Sequence, residues 1–429
     1  MPEIRPFRAV RYNKEKLRDL ASVMAPPYDI IPPDMQEKLY RAEEHNIVRL
    51  ILGKTEKDDD ASNNRYTRAR LFYNSWLKDK ILVRDSALSI YIYSQEYEYD
   101  GRKINRVGFI CLMGLDIAGK KQSVLAHENT LASPKADRLN LMKEVKSNLS
   151  PIFVLYDDNR KYIMKILKAF IAKSKPIIDV VFDKTRHKVW DLSDPAAISK
   201  ITGFMKDKKT FIADGHHRYE TARNYSLFVR GSSAPDELKK NSGYVMVYFV
   251  EADEGMLTVL PAHRLVKDMR SLKIDEVKLR LRDSFIIKNF HSLDAMMSAL
   301  SAQKKSHAFG LYLGKGDFSV LKMKDARASD KAIKDKPKEW RRLDVSILHH
   351  FILQQILGIS DDDDNIEFVK NPADTVNSVD EGAFKMAFFL NPTKVSEVKK
   401  IAKLGERMPR KATYFYPKPL SGLVINKFY

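Results

Sequence analysis

A hydrophobic run that stops at an Asp-Gly pair and restarts as a helix constrains this chain more than any other stretch. It reads Lys209-Thr-Phe-Ile-Ala-Asp214-Gly-His216-His217-Arg218-Tyr-Glu220-Thr-Ala-Arg223. Thr210 to Ala213 is short, apolar and bounded by a Gly turn, which reads as a buried strand end, while Tyr219 to Phe228 has the composition of a helix. A strand, a tight turn and a helix put a helix N-terminus at the end of a strand. There the first N–H groups lack intrahelical acceptors and the helix dipole is positive, so an anion is stabilised. Gly215 permits close approach, and His216, His217 and Arg218 add donors. Asp214 supplies a carboxylate able to hold a metal or accept a proton. In the plainer reading Asp214 is a turn or N-cap residue and the histidines are surface groups. Two adjacent histidines followed by arginine favour a phosphate site with a catalytic or anion-binding role.

A chain of 429 residues buries a full core and is expected to form two or more lobes. Lys plus Arg number 75 against 56 Asp plus Glu, a net charge of +19, which points to an anionic partner without choosing among nucleic acid, nucleotide and phosphorylated metabolite. The single cysteine, Cys111, lies in the apolar run Val107 to Leu115 and reads as a buried structural thiol in a reducing compartment. The N-terminus lacks an apolar h-region, and no run approaches the ~18 apolar residues of a membrane span, so a soluble, cytoplasmic protein is expected.

Four prolines at 26, 27, 32 and 33 stiffen the loop that carries Tyr28 and Asp29, which suits a preorganised site as well as a linker. His45 to Leu52 alternates as a strand with Arg49 among apolar neighbours, either an ion-pair partner or a grip on a substrate anion. Leu88 to Tyr99 and Lys103 to Leu115 form a hairpin about Asp100-Gly101. His127, Glu128, Lys135 and Arg138 crowd a polar stretch that is a capped loop or part of the same anion pocket.

Ser242 to Glu251 and Leu257 to Leu260 read as a strand pair delivering His263 and Arg264, and Ile274 to Asn289 as one helix. Adjacent His349 and His350 fall on different faces of a helix, which argues against a shared metal. Asp361 to Asp364 lacks the Gly and the spacing of an EF-hand and reads as a solvated loop. The last 39 residues hold nine Lys/Arg and two Glu, with Arg410, Lys411 and Lys418 set among Tyr414, Phe415 and Tyr416. Such a segment is expected to be ordered and docked on the central turn, bringing Lys411 and Lys418 to the anion. The domain expectation is 1–240, 241–390 and the C-terminal segment 391–429. P-loop, Rossmann, protein-kinase and zinc-ribbon motifs are absent.

Five motifs in order carry a resemblance: Pro-Pro-Tyr28-Asp29, His127-Glu-Asn-Thr with Ser-Pro-Lys135-Ala-Asp-Arg138, Ala-Asp214-Gly-His-His-Arg218, Pro-Ala-His263-Arg264-Leu-Val, and Arg410-Lys411-Ala-Thr-Tyr-Phe-Tyr-Pro-Lys418. Together they resemble the bacterial domain-of-unknown-function family 1015. Around residues 211–223 that family is similar to the ParB/sulfiredoxin superfamily, which includes free-serine kinases using ADP, ATP or pyrophosphate. The resemblance implies an α+β fold, a ParB/sulfiredoxin-like catalytic core with additional α+β lobes, and phosphorylation of free L-serine. It makes Asp214 the catalytic carboxylate or Mg²⁺ ligand and His216, His217 and Arg218 the donor-phosphate clamp. Asp29 matches the kinases' further acidic residue on an early loop, though here it is Asp after Pro-Pro-Tyr. His263, Arg264, Lys411 and Lys418 are added as phosphate ligands, and Arg49, His127, Glu128, Lys135 and Arg138 as substrate ligands. A phosphoserine phosphatase-like hydrolase and a nucleotide-switched nucleic-acid-binding protein are the alternatives. The lack of a recognisable helix-turn-helix weighs against nucleic acid, and oligomeric state is left open.

Overall fold

The computed structural model describes residues 3–117, 123–360 and 365–429. The Asp361 to Asp364 run therefore lies outside the described residues. The fold is mixed α+β and divides into two interleaved units. The first comprises Met1–Ala126, Thr130–Thr258 and Pro417–Tyr429, and the second His127–Asn129 and Val259–Tyr416.

In the first unit the strands are β1 (Ile4–Arg5), β2 (Val10–Tyr12), β3 (Leu82–Arg84), β4 (Ile90–Tyr99), β5 (Arg102–Gly114), β6 (Val124–Leu125), β7 (Ser147–Asn148), β8 (Ile152–Tyr156), β9 (Ile178–Phe182), β10 (Thr185–Leu192), β11 (Thr210–Asp214) and β12 (Tyr244–Glu251). Among the described residues a nine-stranded sheet runs β6-β11-β8-β12-β5-β4-β10-β9, with β1 on the far end of β5. The β4–β5 hairpin turns at Asp100 and Gly101, both at positive φ, the backbone a two-residue primed turn requires. Cys111 on β5 is fully buried, and burial pushes its thiol well up, so it is inert.

Helices flank the sheet: α1 (Pro33–Ala42), α2 (Val48–Ile51), α3 (Arg65–Lys78), α4 (Ala132–Val145), α5 (Tyr162–Ile171), α6 (Pro195–Met205) and α7 (His216–Arg230). Asn64 and Thr67 form a capping box that starts α3, and the Asp194 carboxylate caps α6 through Ala197 N. Apolar residues from β5, β8, β11 and β12 meet α5, α6 and α7 in one core that includes Phe109, Val154, Ile163, Ile201, Tyr219 and Phe249.

Three expectations differ from the structure. His45 to Leu52 is not a strand; its apolar part forms α2, a short apolar run that periodicity alone does not assign. Ile274 to Asn289 splits into a helix, Ile274–Leu281, and a strand, Phe285–Phe290. Thr258–Leu260 pairs with Tyr414–Tyr416 and not with β12. A boundary at 240 would cut β12 away from α7, yet β12 pairs with both β5 and β8 in the middle of the sheet. The division falls after Thr258, and the C-terminal segment is itself divided between Tyr416 and Pro417.

Strand β13 (Thr258–Leu260) begins at the division, and the second unit continues with β14 (His263–Val266), β15 (Phe285–Phe290), β16 (Ala308–Tyr312), β17 (Phe318–Met323), β18 (Ile366–Val369), β19 (Met386–Leu390) and β20 (Tyr414–Tyr416). Its antiparallel sheet runs β15-β17-β16-β19-β14-β18. One face packs Phe309, Leu311 and Phe388 against Trp340, Phe351 and Ile352, and the other packs Leu265, Tyr312 and Phe389 against Met296 and Leu300. The chain then returns to the first unit, where β21 (Asn426–Lys427) pairs with β7.

Candidate active site

Strand β11 runs antiparallel to β8 and parallel to β6, and its register slips between Ile212 and Asp214, so Asp214 faces Phe153 at the strand end. Gly215 follows at φ 93°, a left-handed conformation that other residues rarely adopt. A Cβ there would sit 3.0 Å from the Arg218 guanidinium. Glycine thus lets Arg218, one turn into α7, fold back over the turn. Its Nη2 lies 2.6 Å from Asp214 Oδ2, and its Nη1 donates to Pro151 O on the neighbouring strand entry. The first intrahelical bond of α7 runs from Tyr219 N to Gly215 O at 3.0 Å. The preceding amides form the positive end of the helix. His216 is buried, and the His217 Nε2 accepts a hydrogen bond from Leu131 N at 3.0 Å.

The second carboxylate comes from the proline loop. Pro26 and Pro27 are buried, Tyr28–Ile30 makes one 3₁₀ turn, and Ile30 N bonds Pro27 O at 3.1 Å. The Tyr28 ring is covered by the Arg138 guanidinium at 4.0 Å from its centroid. Asp29 projects beyond with 35% of its side chain exposed, against 14% for Asp214.

Lys418 joins the two carboxylates. Its Nζ lies 2.6 Å from Asp29 Oδ2 and 2.5 Å from Asp214 Oδ1, with its side chain only 7% exposed. The strap that carries it is buried from Pro417 to Asn426. Ser421 exchanges backbone bonds with Ala25 at 2.9 and 3.3 Å, just before the proline loop, and Ile425 does the same with Val10 at 2.8 and 2.9 Å. The end of the chain thus fastens the loop of Asp29 to the sheet that carries Asp214.

Burial alone would raise the Asp29 carboxyl, but the Lys418 and Arg218 cations outweigh it and hold it at about 2. Burial would lower the Lys418 ammonium, and Asp214 and Asp29 reverse that and hold it above the ordinary lysine value. A depressed carboxyl contributes stability that is fully present above its ordinary 3.8 and is lost as pH falls through about 2. Asp29→Asn is therefore expected to flatten the loss of stability between about pH 4 and pH 2. Denaturation midpoints measured across that window check it; slopes equal to wild type would contradict the pairing.

The remaining candidates have other surroundings. Arg138 is buried and donates to Asp137 Oδ2 at 2.7 Å and Ile51 O at 2.5 Å, so it braces α4 against α2 and the Tyr28 ring. Arg49 lies on α2, where it donates to Tyr40 O at 2.9 Å and stacks on the Tyr40 ring at 4.4 Å, clamping α1. Lys135 is half-buried on α4, and its carbonyl faces Thr221 Oγ1 of α7 at 3.5 Å. His127, Glu128, His263, Arg264 and Lys411 belong to the second unit. There the His127 Nε2 meets Thr413 Oγ1 at 3.0 Å, and the buried His263 Nδ1 accepts from Leu390 N at 3.4 Å. Arg264 is buried and points its donors at His349 Nε2, Ala262 O, Arg410 O and Lys411 O, tying the 410–411 loop to β14. Burial lowers its guanidinium to about 9. The Lys411 side chain is exposed.

Asp214, the expected Mg²⁺ ligand, turns one oxygen to Lys418 and the other to Arg218. An ammonium therefore stands between the two carboxylates, both Asp214 oxygens are taken by cations, and the donor set as arranged does not fit Mg²⁺. Among the described residues, Glu43, Glu44 and His45 gather three possible ligand atoms within 4.8 Å, at the end of α1. A cavity of about 50 Å³ lies behind the site, lined by Tyr28, Arg138, Leu141, Val145, Ile152 and Arg218. It has room for water or a small group and not for a nucleotide.

The site of this α+β chain is thus a pair of carboxylates bridged by a lysine at a helix N-terminus. The chain belongs to the family described as protein of unknown function (DUF1015), whose sequence profile matches residues 4–346. No curated protein matches it. Solved structures similar to it include a conserved hypothetical protein from Pyrococcus furiosus (13% identity, TM-score 0.33, covering 72% of this chain and 92% of that one). Another is a free serine kinase in complex with AMP (14% identity, TM-score 0.31, covering 70% and 90%). A third is SbnI with a C-terminal truncation from Staphylococcus aureus (10% identity, TM-score 0.33, covering 73% and 86%). At such identities and scores no chemistry is carried across, and the functional reading rests on the residues of this chain.

Proposed function

We propose that this protein is a phosphotransferase that moves a phosphoryl group from ADP, ATP or pyrophosphate to a small hydroxyl acceptor. Free L-serine is the acceptor that the motif resemblance implies. The observation that carries the reading is the ion-paired set Asp29, Lys418, Asp214 and Arg218 at the N-terminus of α7.

In this reading the donor phosphate sits at the helix N-terminus, against the first-turn amides and the histidine donors, where negative charge is stabilised. Asp29, the more exposed carboxylate, accepts a hydrogen bond from the acceptor hydroxyl and orients it, and the hydroxyl proton is lost to solvent as the new bond forms. The acceptor oxygen forms the new P–O bond as the bond from phosphorus to the bridging oxygen of the donor breaks, and ADP, AMP or phosphate leaves with that oxygen when the donor is ATP, ADP or pyrophosphate. Phosphoryl transfer asks for positioning and charge neutralisation more than covalent chemistry, and this arrangement supports both.

Incubating the protein with each donor and a panel of free amino acids, read by phosphate release and mass spectrometry, tests the proposal. Phosphorylated amino acid is the expected product; donors left unchanged in every combination would refute it. Arg218→Lys is expected to lower turnover about tenfold or more, because a point charge replaces a planar fork that reaches Asp214 and Pro151 O together. Unchanged rate and donor Michaelis constant would count against that part of the site.

A further inference from the structure

We infer that Gln95 and Arg106, on neither side of the reacting groups, are positioning residues that set Lys418 between its two carboxylates. The inference rests on the phosphotransferase reading for its kinetic consequence, and on geometry alone for the rest. Gln95 on β4 and Arg106 on β5 are direct cross-strand neighbours, and both are fully buried. The Gln95 Oε1 accepts from Arg106 Nε at 3.1 Å and from Nη2 at 2.5 Å, which leaves its Nε2 to donate to Lys418 O at 3.2 Å. Arg106 Nη2 also donates to Pro417 O.

Two consecutive carbonyls of the strap, Pro417 and Lys418, are therefore held by one arginine–glutamine pair. These bonds bracket the Cα of Lys418 and fix the direction in which its side chain leaves the strap. Farther along, Leu420 N donates to Tyr93 OH at 3.4 Å, and that hydroxyl lies 2.6 Å from His187 Nδ1. The Arg106 guanidinium also stacks over the Phe153 ring at 4.9 Å from its centroid, and Phe153 is the cross-strand partner of Asp214. One side chain thus supports the backbone of the ammonium and the strand beside its carboxylate. A wholly buried guanidinium is costly to keep. Here its fork of donors meets carbonyl oxygens at the one place where the strap must be aimed.

The test uses the full-length protein and Gln95→Leu. Amine acetylation followed by mass spectrometry reads how well Lys418 is shielded, whether or not the protein is an enzyme. Labelling of Lys418 is expected to be about tenfold faster than in wild type, with a cooperative melting transition retained. Turnover is expected to fall about tenfold with the donor Michaelis constant within about twofold, the pattern of a misaimed group and not of lost binding. Gln95→Glu separates the two halves of the pair: it keeps an acceptor for Arg106 but removes the donor to Lys418 O. It is expected to behave like Gln95→Leu, and it serves in its place if that variant does not fold. Wild-type labelling of Lys418 in a folded Gln95→Glu protein would overturn the inference. Faster labelling in a protein that transfers no phosphate would uphold the positioning role while refuting the phosphotransferase reading.

Discussion

Asp214→Asn is expected to lower turnover by roughly a hundredfold or more, the scale of losing a positioned, charge-stabilising group in a transfer site. In wild type one Asp214 oxygen accepts from Lys418 and the other from Arg218. An asparagine has a single acceptor oxygen and must turn its NH₂ group toward one of the two cations. Lys418 or Arg218 then loses its partner, and the geometry shared with Asp29 goes with it. The buried ion pairs lead us to expect a folded protein with a lowered melting temperature, because a buried cation loses its countercharge. Steady-state kinetics beside a thermal melt separates the two effects; near-normal turnover would rule out the role assigned to Asp214.

Lys418→Met carries the largest expected cost in stability. Removing the ammonium leaves two carboxylates facing each other, with Asp214 14% and Asp29 35% exposed. Breaking a buried ion pair from one side costs about 3 to 5 kcal/mol, and the exposure of Asp29 puts this case at the lower end, about 3 kcal/mol. The sign of its pH dependence follows. Two like charges raise one carboxyl above its unfolded value, and a raised group contributes stability below that value and loses it as pH rises. The variant should recover part of its deficit as pH falls from 7 toward 4. Melting temperatures of both proteins at several pH values check this; a deficit that is constant with pH would show that Lys418 does not face the carboxylates in solution.

Much of the local structure was legible from residue order. The alternation of Leu88 to Tyr99 and the Asp100-Gly101 turn announced the β4–β5 hairpin, and the apolar Thr210 to Ala213 followed by Gly215 announced the strand, turn and helix of the site. The four-residue α2 and the helix-to-strand change near Ser284 were not legible, because short apolar runs fit either period and tertiary packing decides. At the site, Asp29, Asp214 and Lys418 each stood out by type and neighbourhood, but their meeting spans 204 and 389 residues of sequence. Lys418 read as a cation for phosphate, and in the structure it is first a countercharge for carboxylates. That difference also removes the basis for placing Mg²⁺ on Asp214. Gln95 and Arg106 escaped notice inside an apolar ribbon, although a Gln opposite an Arg in a buried hairpin was the available signal.

The central claim is that this carboxylate and ammonium cluster at the start of α7 transfers a phosphoryl group to an alcohol. Its most direct test is quantification of O-phosphoserine against donor consumed, in one reaction of wild-type protein with free L-serine and ADP, ATP or pyrophosphate. The account predicts one phosphoserine per donor cleaved and loss of both in Asp214→Asn. Donor cleavage that yields only inorganic phosphate would point to a hydrolase. No cleavage, together with salt-dependent DNA binding, would contradict the account and favour a nucleic-acid partner.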